Sequence, residues 1–467
     1  MVAYTTMSKS AEPSRTPRPK SLGRLGSRPD VLRVLQRGSS PDRPRATLEK
    51  LRTLCLEAGA ADAGVVALDR VEVDSDRDDI LAAMPTARTL LSFVVSMNPA
   101  SIQSPARSVA NLEFHHAGDE TNEIARRIIE GLREFGGRAL NPAMGFPMEM
   151  HRFPGKIWVV SHKRIAEAAG LGKMGIHRNL IHPRLGNFIL LGTVITDLEI
   201  EPEQQSQPID YNPCLECKLC VAACPVGAIK PDGEFDFSAC YVHNYREFMG
   251  GFTDWVEQVV ESKDRAEYRR RVGDADSASM WQSLSFGANY KAAYCMAVCP
   301  AGEDVLAPYL ESKKAWKQGV LDPLVRKEET LYVLGNSDAR DHAEKRFPHK
   351  PTKVVHSNLR PTSVWGFFRG APLSFQRGRA KDLPRTTYHF EFTGRETAEM
   401  TFVIDAGTLE TAKGLVGEPD LRVTADSQRW LEFLAGERNP VWALVIRKFR
   451  LDGPIALLKQ FGACFAS

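Results

Sequence analysis

Residues 212–225 read Asn-Pro-Cys214-Leu-Glu-Cys217-Lys-Leu-Cys220-Val-Ala-Ala-Cys224-Pro225, a C-x2-C-x2-C-x3-C-P spacing. Two-residue spacers let one tight loop aim three thiolates at three irons of a cubane. The three-residue spacer opens a helical turn, so Cys224 faces away from that cubane, and Pro225 ends the turn. Gly227 and Ala228 are small enough to let backbone amides approach inorganic sulfide. The full run with its proline is among the more specific short motifs, and it reads as an iron–sulfur site.

A second run is expected downstream, because in bacterial two-cluster ferredoxins the fourth Cys of one run ligates the other cluster. Tyr294-Cys295-Met-Ala-Val-Cys299-Pro300 supplies C-x3-C-P, and Cys240 stands upstream. The expected ligand sets are Cys214, Cys217, Cys220 and Cys299 for cluster one, and Cys224, Cys240 and Cys295 for cluster two. The place for the last ligand, three residues before Cys295, is taken by Ala292. Cluster one is thus a [4Fe–4S] cluster, and cluster two is either [3Fe–4S] or a [4Fe–4S] cluster with a non-cysteine ligand. His243 is a candidate substitute, although a lone His is more often a buried polar residue. Seven of the nine cysteines lie in this segment, and clustering in a chain of 467 residues favours metal ligation over a disulfide scaffold. Cys55 and Cys464 read as small buried residues. Between the runs, Tyr245, Phe248, Phe252 and Trp255 form an aromatic stripe. Glu261–Asp276 reads as an exposed charged helix and turn, and Trp281 as the return into the core.

Upstream, residues 46–205 alternate helical and strand-like patterns. Leu48–Ala58 and Thr121–Gly136 are amphipathic helices; Gly64–Ala67, Thr89–Met97 and Phe188–Thr196 are strand-like. This predicts an α/β or α+β domain. Within it runs Ala169-Gly170-Leu-Gly172-Lys-Met-Gly175-Ile-His177-Arg178-Asn179-Leu-Ile-His182-Pro-Arg-Leu-Gly186-Asn187-Phe-Ile-Leu-Leu-Gly192-Thr-Val-Ile-Thr-Asp197. The G-x-G-x-x-G follows a helix and so reverses the order that a dinucleotide fingerprint needs. It is a bend where backbone can approach a ligand closely.

This bend, its following strand and the cysteine run behind them resemble the epoxyqueuosine reductase and reductive dehalogenase family over about residues 50–305. The resemblance implies a corrinoid (cobalamin) held without covalent attachment near a cluster, with Gly170, Gly172, Gly175, Arg178, Asn179 and Gly186 as its binding residues. It implies electrons arriving from an external low-potential donor (ferredoxin, flavodoxin or a reductase) and reductive cleavage or reduction of a small or apolar organic substrate. The epoxyqueuosine branch carries an acidic proton donor about a dozen residues before the bend. Gapless counting puts Lys156 there, so Lys156, His162 and Lys163 are the candidate catalytic proton donors. Two alternatives stand beside this reading: an electron-transfer protein without corrinoid, and a tRNA-modifying reductase.

Residues 311–384 hold many Arg, Lys and Pro residues and read as a connecting segment, with Glu329–Leu334 as one strand. From Tyr388 strands return: Tyr388–Gly394, Ala398–Ile404, Thr411–Val416, Leu421–Ala425 and Trp442–Leu451, with helices at Ser427–Ala435 and Pro454–Phe461. The motifs F-x-F-x-G, D-x-x-V-T-A-D and R-x-D-G in residues 385–467 resemble the α+β sterol-carrier-protein-type domain. That resemblance implies an apolar tunnel, or a dimerising or substrate-presenting role, hence a possible homodimer. Residues 1–45, rich in Arg, Ser and Pro, read as a disordered basic tail with no apolar run to make it a signal. The net charge of +3 speaks against a dedicated nucleic-acid surface, and no apolar stretch is long enough to span a bilayer. The expected location is the cytoplasm.

Overall fold

The structure, a computed structural model, describes residues 28–36, 45–153, 156–214, 216–356, 359–436 and 449–466. The chain divides into two compact units, Met1–Arg45 and Ala46–Ser467. In the first, Pro29–Gln36 is a helix, which corrects the expectation of disorder for that stretch. Proline at the first position and Asp30 in the first turn both favour helix initiation, and Arg28 holds Asp30 at 2.6 Å.

The second unit begins with a four-stranded sheet. Its strands are β1 (Asp62–Ala67), β2 (Thr89–Ser96), β3 (Ala139–Leu140) and β6 (Ile189–Thr196), in the order β1-β2-β6-β3. Every pairing is antiparallel, so of the two expected classes the domain is α+β. A small hairpin, β4 (Lys173–Met174) with β5 (Leu180–Ile181), precedes β6. Both faces of β2 are buried. Leu91, Phe93 and Val95 face the helix Arg107–Glu134 through Ile124, Ile128 and Leu132; Leu90 and Val94 face Val160, Ile165 and Ala166. This is the period-two alternation of a strand covered on both sides. The helix face carries on without a break into Cys220, Cys224, Ala228 and Tyr294, so the sheet and the cysteine segment share one core.

The insertion between the runs folds into helices Phe237–Asn244, Gly250–Glu261, Arg265–Arg271 and Asp274–Phe286. Trp281 is 60% exposed, so it is not the return into the core. That return is made at Tyr290, whose N–H donates to Asn111 Oδ1 at 2.8 Å, and at Tyr294, which is buried. Asn111 faces inward from the long helix and clamps the returning chain.

The expected connecting segment is largely structured. Strands β7 (Leu331–Leu334) and β8 (Thr352–Val355) pair in parallel around the helix Asp338–Arg346. Its helix Val364–Ser374 places Val364, Phe367 and Ala371 in the core of the C-terminal domain, whose core therefore starts before residue 385. That domain's sheet is β11 (Thr408–Lys413), β10 (Ala398–Asp405), β9 (Thr386–Thr393), β12 (Leu421–Asp426) and β13 (Phe449–Asp452), in that order, with only β12 and β9 parallel. The expected strand Trp442–Leu451 lies outside the described residues up to 448. The side chains placed to line an apolar tunnel are in ring contact with one another. Phe390 lies 5.2 Å from Trp430 and 5.1 Å from Phe461, and Phe402 lies 5.5 Å from Phe461.

Candidate iron–sulfur site

The two cysteine runs are backbone copies of each other. Lys218 (φ 52°) and Ala293 (φ 51°) each stand two residues before a cysteine, in the left-handed conformation that non-glycine residues seldom adopt. Each opens a short helix, Leu219–Ala223 or Tyr294–Ala297, which carries Cys220 or Cys295. A proline follows each run at 225 and 300. The strained turn is a local cost of about 1 kcal/mol or more that the surrounding packing must over-determine.

Cys214, Cys217, Cys220 and Cys299 line one small cavity together with Ile176, His177 and Ile181. Cys224, Cys240 and Cys295 form a second neighbourhood, in which Cys224 raises the pKa of Cys295 and both raise that of Cys240. The two adjoin, since the strongest thiolate acting on Cys220 is Cys295. The shared cavity wall nevertheless assigns Cys220 to the first group. Burial pushes Cys299 up to about 12 and Cys295 up to about 11. Buried thiols so close together are the donor set that soft metal sites use. Backbone amides point at their sulfurs: Ile176 N–H at Cys214 Sγ (3.4 Å) and Ala228 N–H at Cys224 Sγ (3.2 Å). The residues present therefore fit two iron–sulfur clusters, the second with three cysteines.

Ala292 is buried, and its N–H donates to Asn244 Oδ1 at 3.1 Å. His243, the candidate substitute, is buried: its Nδ1 accepts from Tyr332 N–H at 3.3 Å, and its Nε2 has no partner among the described residues. Cys55 and Cys464 are buried away from both groups, as expected of small core residues.

The glycine bend carries a correction. A Cβ on Gly170 would overlap Gln207 O, on Gly172 Ile181 O, and on Gly186 Ala301 O; on Gly175 it would press on the His177 ring. The close approach these glycines permit is by the chain's own backbone and side chains, so they do not form the cradle expected for a corrinoid. Gly186 (φ 64°) brings the bend onto the residue two after Cys299, and Asn187 Nδ2 donates to Met296 O at 3.2 Å. The bend is what docks the cysteine module onto the sheet.

Between Gly175 and Asn179 the bend runs beside both groups. His177 faces the first. Arg178 (φ 63°) turns the chain, and Asn179 Nδ2 comes to 4.0 Å from Cys295 Sγ in the second. Lys163 Nζ reaches Arg178 O at 2.6 Å and Asn179 Oδ1 at 3.1 Å.

The three candidate cations part company. Lys156 pairs with buried Asp76 and with Asp79 at 2.7 Å, and no cysteine is among its partners. His162 lies between Thr193 Oγ1 (2.9 Å) and Ala143 O (3.1 Å), with burial lowering its pKa. Lys163 alone is among the groups acting on Cys240 and Cys295. It is exposed, yet desolvation lowers its pKa. Tyr245, part-exposed with a pKa raised by burial and by Cys240, stands beside the same cysteine. Cys240 and Cys295 are only partly buried, as are Cys214 and Cys217 of the first group. Sequence reasoning missed Asp76: one acid in the run Asp74-Ser-Asp-Arg-Asp-Asp gives no sign of its burial.

The geometry defines a class first: a two-cluster, ferredoxin-like module docked on an antiparallel α+β domain and followed by a separate α+β domain. Residues 208–230 match the 4Fe-4S binding domain, and residues 374–466 match the SCP-2 sterol transfer family. The chain is similar to epoxyqueuosine reductases over about a third of its length. That of Leadbetterella byssophila is 29% identical over 185 residues, which cover 36% of this chain and 55% of the relative. That of Staphylococcus aureus is 33% identical over 163 residues, covering 34% and 40%. The chain spans about half the length, or less, of such curated relatives. Among solved structures, a catabolic reductive dehalogenase aligns with TM-score 0.36 and 16% identity, covering 62% of this chain and 36% of that one. An epoxyqueuosine reductase from Streptococcus thermophilus aligns with TM-score 0.30 and 17% identity, covering 58% and 74%. These comparisons lend no support to the charge argument against a nucleic-acid partner. No helix among the described residues is long and apolar enough to cross a membrane.

Proposed function

We propose that the chain is an iron–sulfur oxidoreductase. Cys214, Cys217, Cys220 and Cys299 hold a [4Fe–4S] cluster; Cys224, Cys240 and Cys295 hold a second, three- or four-iron cluster. An external low-potential donor supplies electrons, and they leave from the second group, beside Lys163. The observation that carries this reading is the gathering of seven cysteines into two adjoining groups, with the Lys163 charge acting on the second. There a small or apolar organic substrate is reduced. Lys163, with its lowered pKa and solvent contact, is the residue placed to deliver the proton that such a reduction consumes. A corrinoid is the acceptor that the family resemblance supports; when bound, it would supply a low-potential cobalt centre. The glycines lend it no support.

Two measurements test this. Anaerobically purified protein should hold seven or eight irons per chain, and fewer than about four after reconstitution would reject two clusters. Titration with cobalamin under reducing conditions should change the corrinoid spectrum at micromolar protein. If no corrinoid binds, the chain is an electron carrier joined to a sterol-carrier-type domain. Binding of a tRNA anticodon stem loop in the same assay would favour the second reading, a tRNA-modifying reductase like the curated relatives.

A further inference from the structure

We propose that His177 donates a hydrogen bond from Nε2–H to the cluster enclosed by Cys214, Cys217, Cys220 and Cys299, and so tunes that cluster's potential. The inference rests on the ligand assignment above.

His177 is 4% exposed. Its Nδ1 accepts the backbone N–H of Asn179 at 3.1 Å. An imidazole nitrogen that accepts from an amide carries no proton, so in the neutral ring the proton is on Nε2. Nε2 is buried and has no hydrogen-bond partner among the described residues. A buried donor left unpaired costs about 1–3 kcal/mol. The ring is one wall of the cavity that the four cysteines line, so a cluster there would put sulfur in front of an N–H that has no other acceptor. The neighbouring amide already behaves this way, since Ile176 N–H points at Cys214 Sγ. Gly175 leaves the Nε2 edge of the ring unobstructed: a Cβ there would come within 2.9 Å of its Cε1 and 3.2 Å of Nε2. With four thiols around the cavity, His177 is not needed as an iron ligand. It is a positioning and tuning residue.

Hydrogen bonds to cluster sulfurs withdraw electron density and raise the reduction potential. The first test is an EPR-monitored redox titration of intact protein carrying both clusters. His177→Phe keeps a ring of similar size and removes the donor. It should move the midpoint of cluster one to a more negative value and leave cluster two in place; His177→Gln, which keeps an N–H, should recover part of the shift. An unmoved cluster-one midpoint, or an equal displacement of both clusters, would overturn the proposal. A second test needs no variant to survive. Pulsed EPR of wild-type protein labelled with 15N only in histidine should show a weak 15N coupling to reduced cluster one. If that coupling is missing while the cluster-one signal is present at full iron content, His177 makes no such bond. If the cluster-one signal itself is missing, it is the ligand assignment that fails.

Discussion

The two cysteine groups use the same backbone device and end differently. The first takes Cys214, Cys217 and Cys220 from its own turn and helix and Cys299 from the other run; the second takes Cys295 from its turn and helix, with Cys224 and Cys240 from elsewhere in the chain. The first is a closed ligand set: four cysteines line its cavity, with a buried histidine in the wall. The second is an open set of three, with the Lys163 charge acting on Cys240 and Cys295. Each group leaves two cysteines part-exposed, so solvent access does not separate them. The missing ligand and the neighbouring charge do, and both set potential in such sites.

The largest way to break the comparison is to remove the closed group. Cys217→Ser should reduce iron from seven or eight to about four per chain and yield largely insoluble protein, because cluster and core form together at that point. Cys220 and Cys224 belong to the core that also holds Leu91, Phe93 and Ile128, so the loss reaches the sheet. Iron analysis and near-ultraviolet circular dichroism measure it. Soluble, folded protein with one cluster would mean that the sheet does not depend on the closed group.

Filling the gap should make the two groups alike. Ala292→Cys supplies the place that a regular run fills with thiolate, so an oxidised-state [3Fe–4S]-type EPR signal should vanish and the second cluster's potential should fall. Unchanged spectra would show that another residue already completes the site.

The docking between bend and module is the next lever. Gly186→Ala adds a Cβ that overlaps Ala301 O at a position where φ is 64°, so both sterics and backbone oppose it. A loss of roughly 2–3 kcal/mol is expected, read as a lower Tm with cluster release at the same transition. Gly145, whose Cβ would meet nothing within 4 Å, is the control that should tolerate Ala.

These tests also mark where the sequence stops being readable. The cysteine spacing is legible because cluster geometry constrains neighbours a few residues apart. The strands of the first sheet are legible from their apolar runs, but not their antiparallel pairing, because each is buried on both faces as a parallel strand would be. Gly186 looked like a ligand contact because its partner, Ala301, is over a hundred positions away. Lys156, His162 and Lys163 are equivalent as residue types in a row; only folding gives the first to Asp76 and Asp79 and the last to the cysteines. The helix Val364–Ser374 was hidden because Gly366, Gly370 and Pro372 interrupt a helical pattern that holds a single charge, Arg369.

The smallest effect sharpens the comparison most. Lys163→Met keeps the length and apolar stem of the side chain and removes its charge from beside Cys240 and Cys295. A positive charge near a cluster favours the reduced, more negative state, so the second cluster's midpoint should fall. At an effective dielectric of about 20, discounted for the solvent at Lys163, the interaction is on the order of 0.5–1 kcal/mol, which for one electron is about 20–40 mV. Cluster one should move less, because Lys163 is not among the charges acting on Cys220 or Cys299 and reaches that cavity only through His177. The variant should also lose turnover with any accepted substrate if its ammonium is the proton donor, and lose it most at high pH, where water is the poorer substitute acid. Potential and turnover thus separate the two roles: a shift in the second midpoint with full turnover leaves Lys163 as a charge on the cluster, and a shift with lost turnover makes the open group and its lysine one working site.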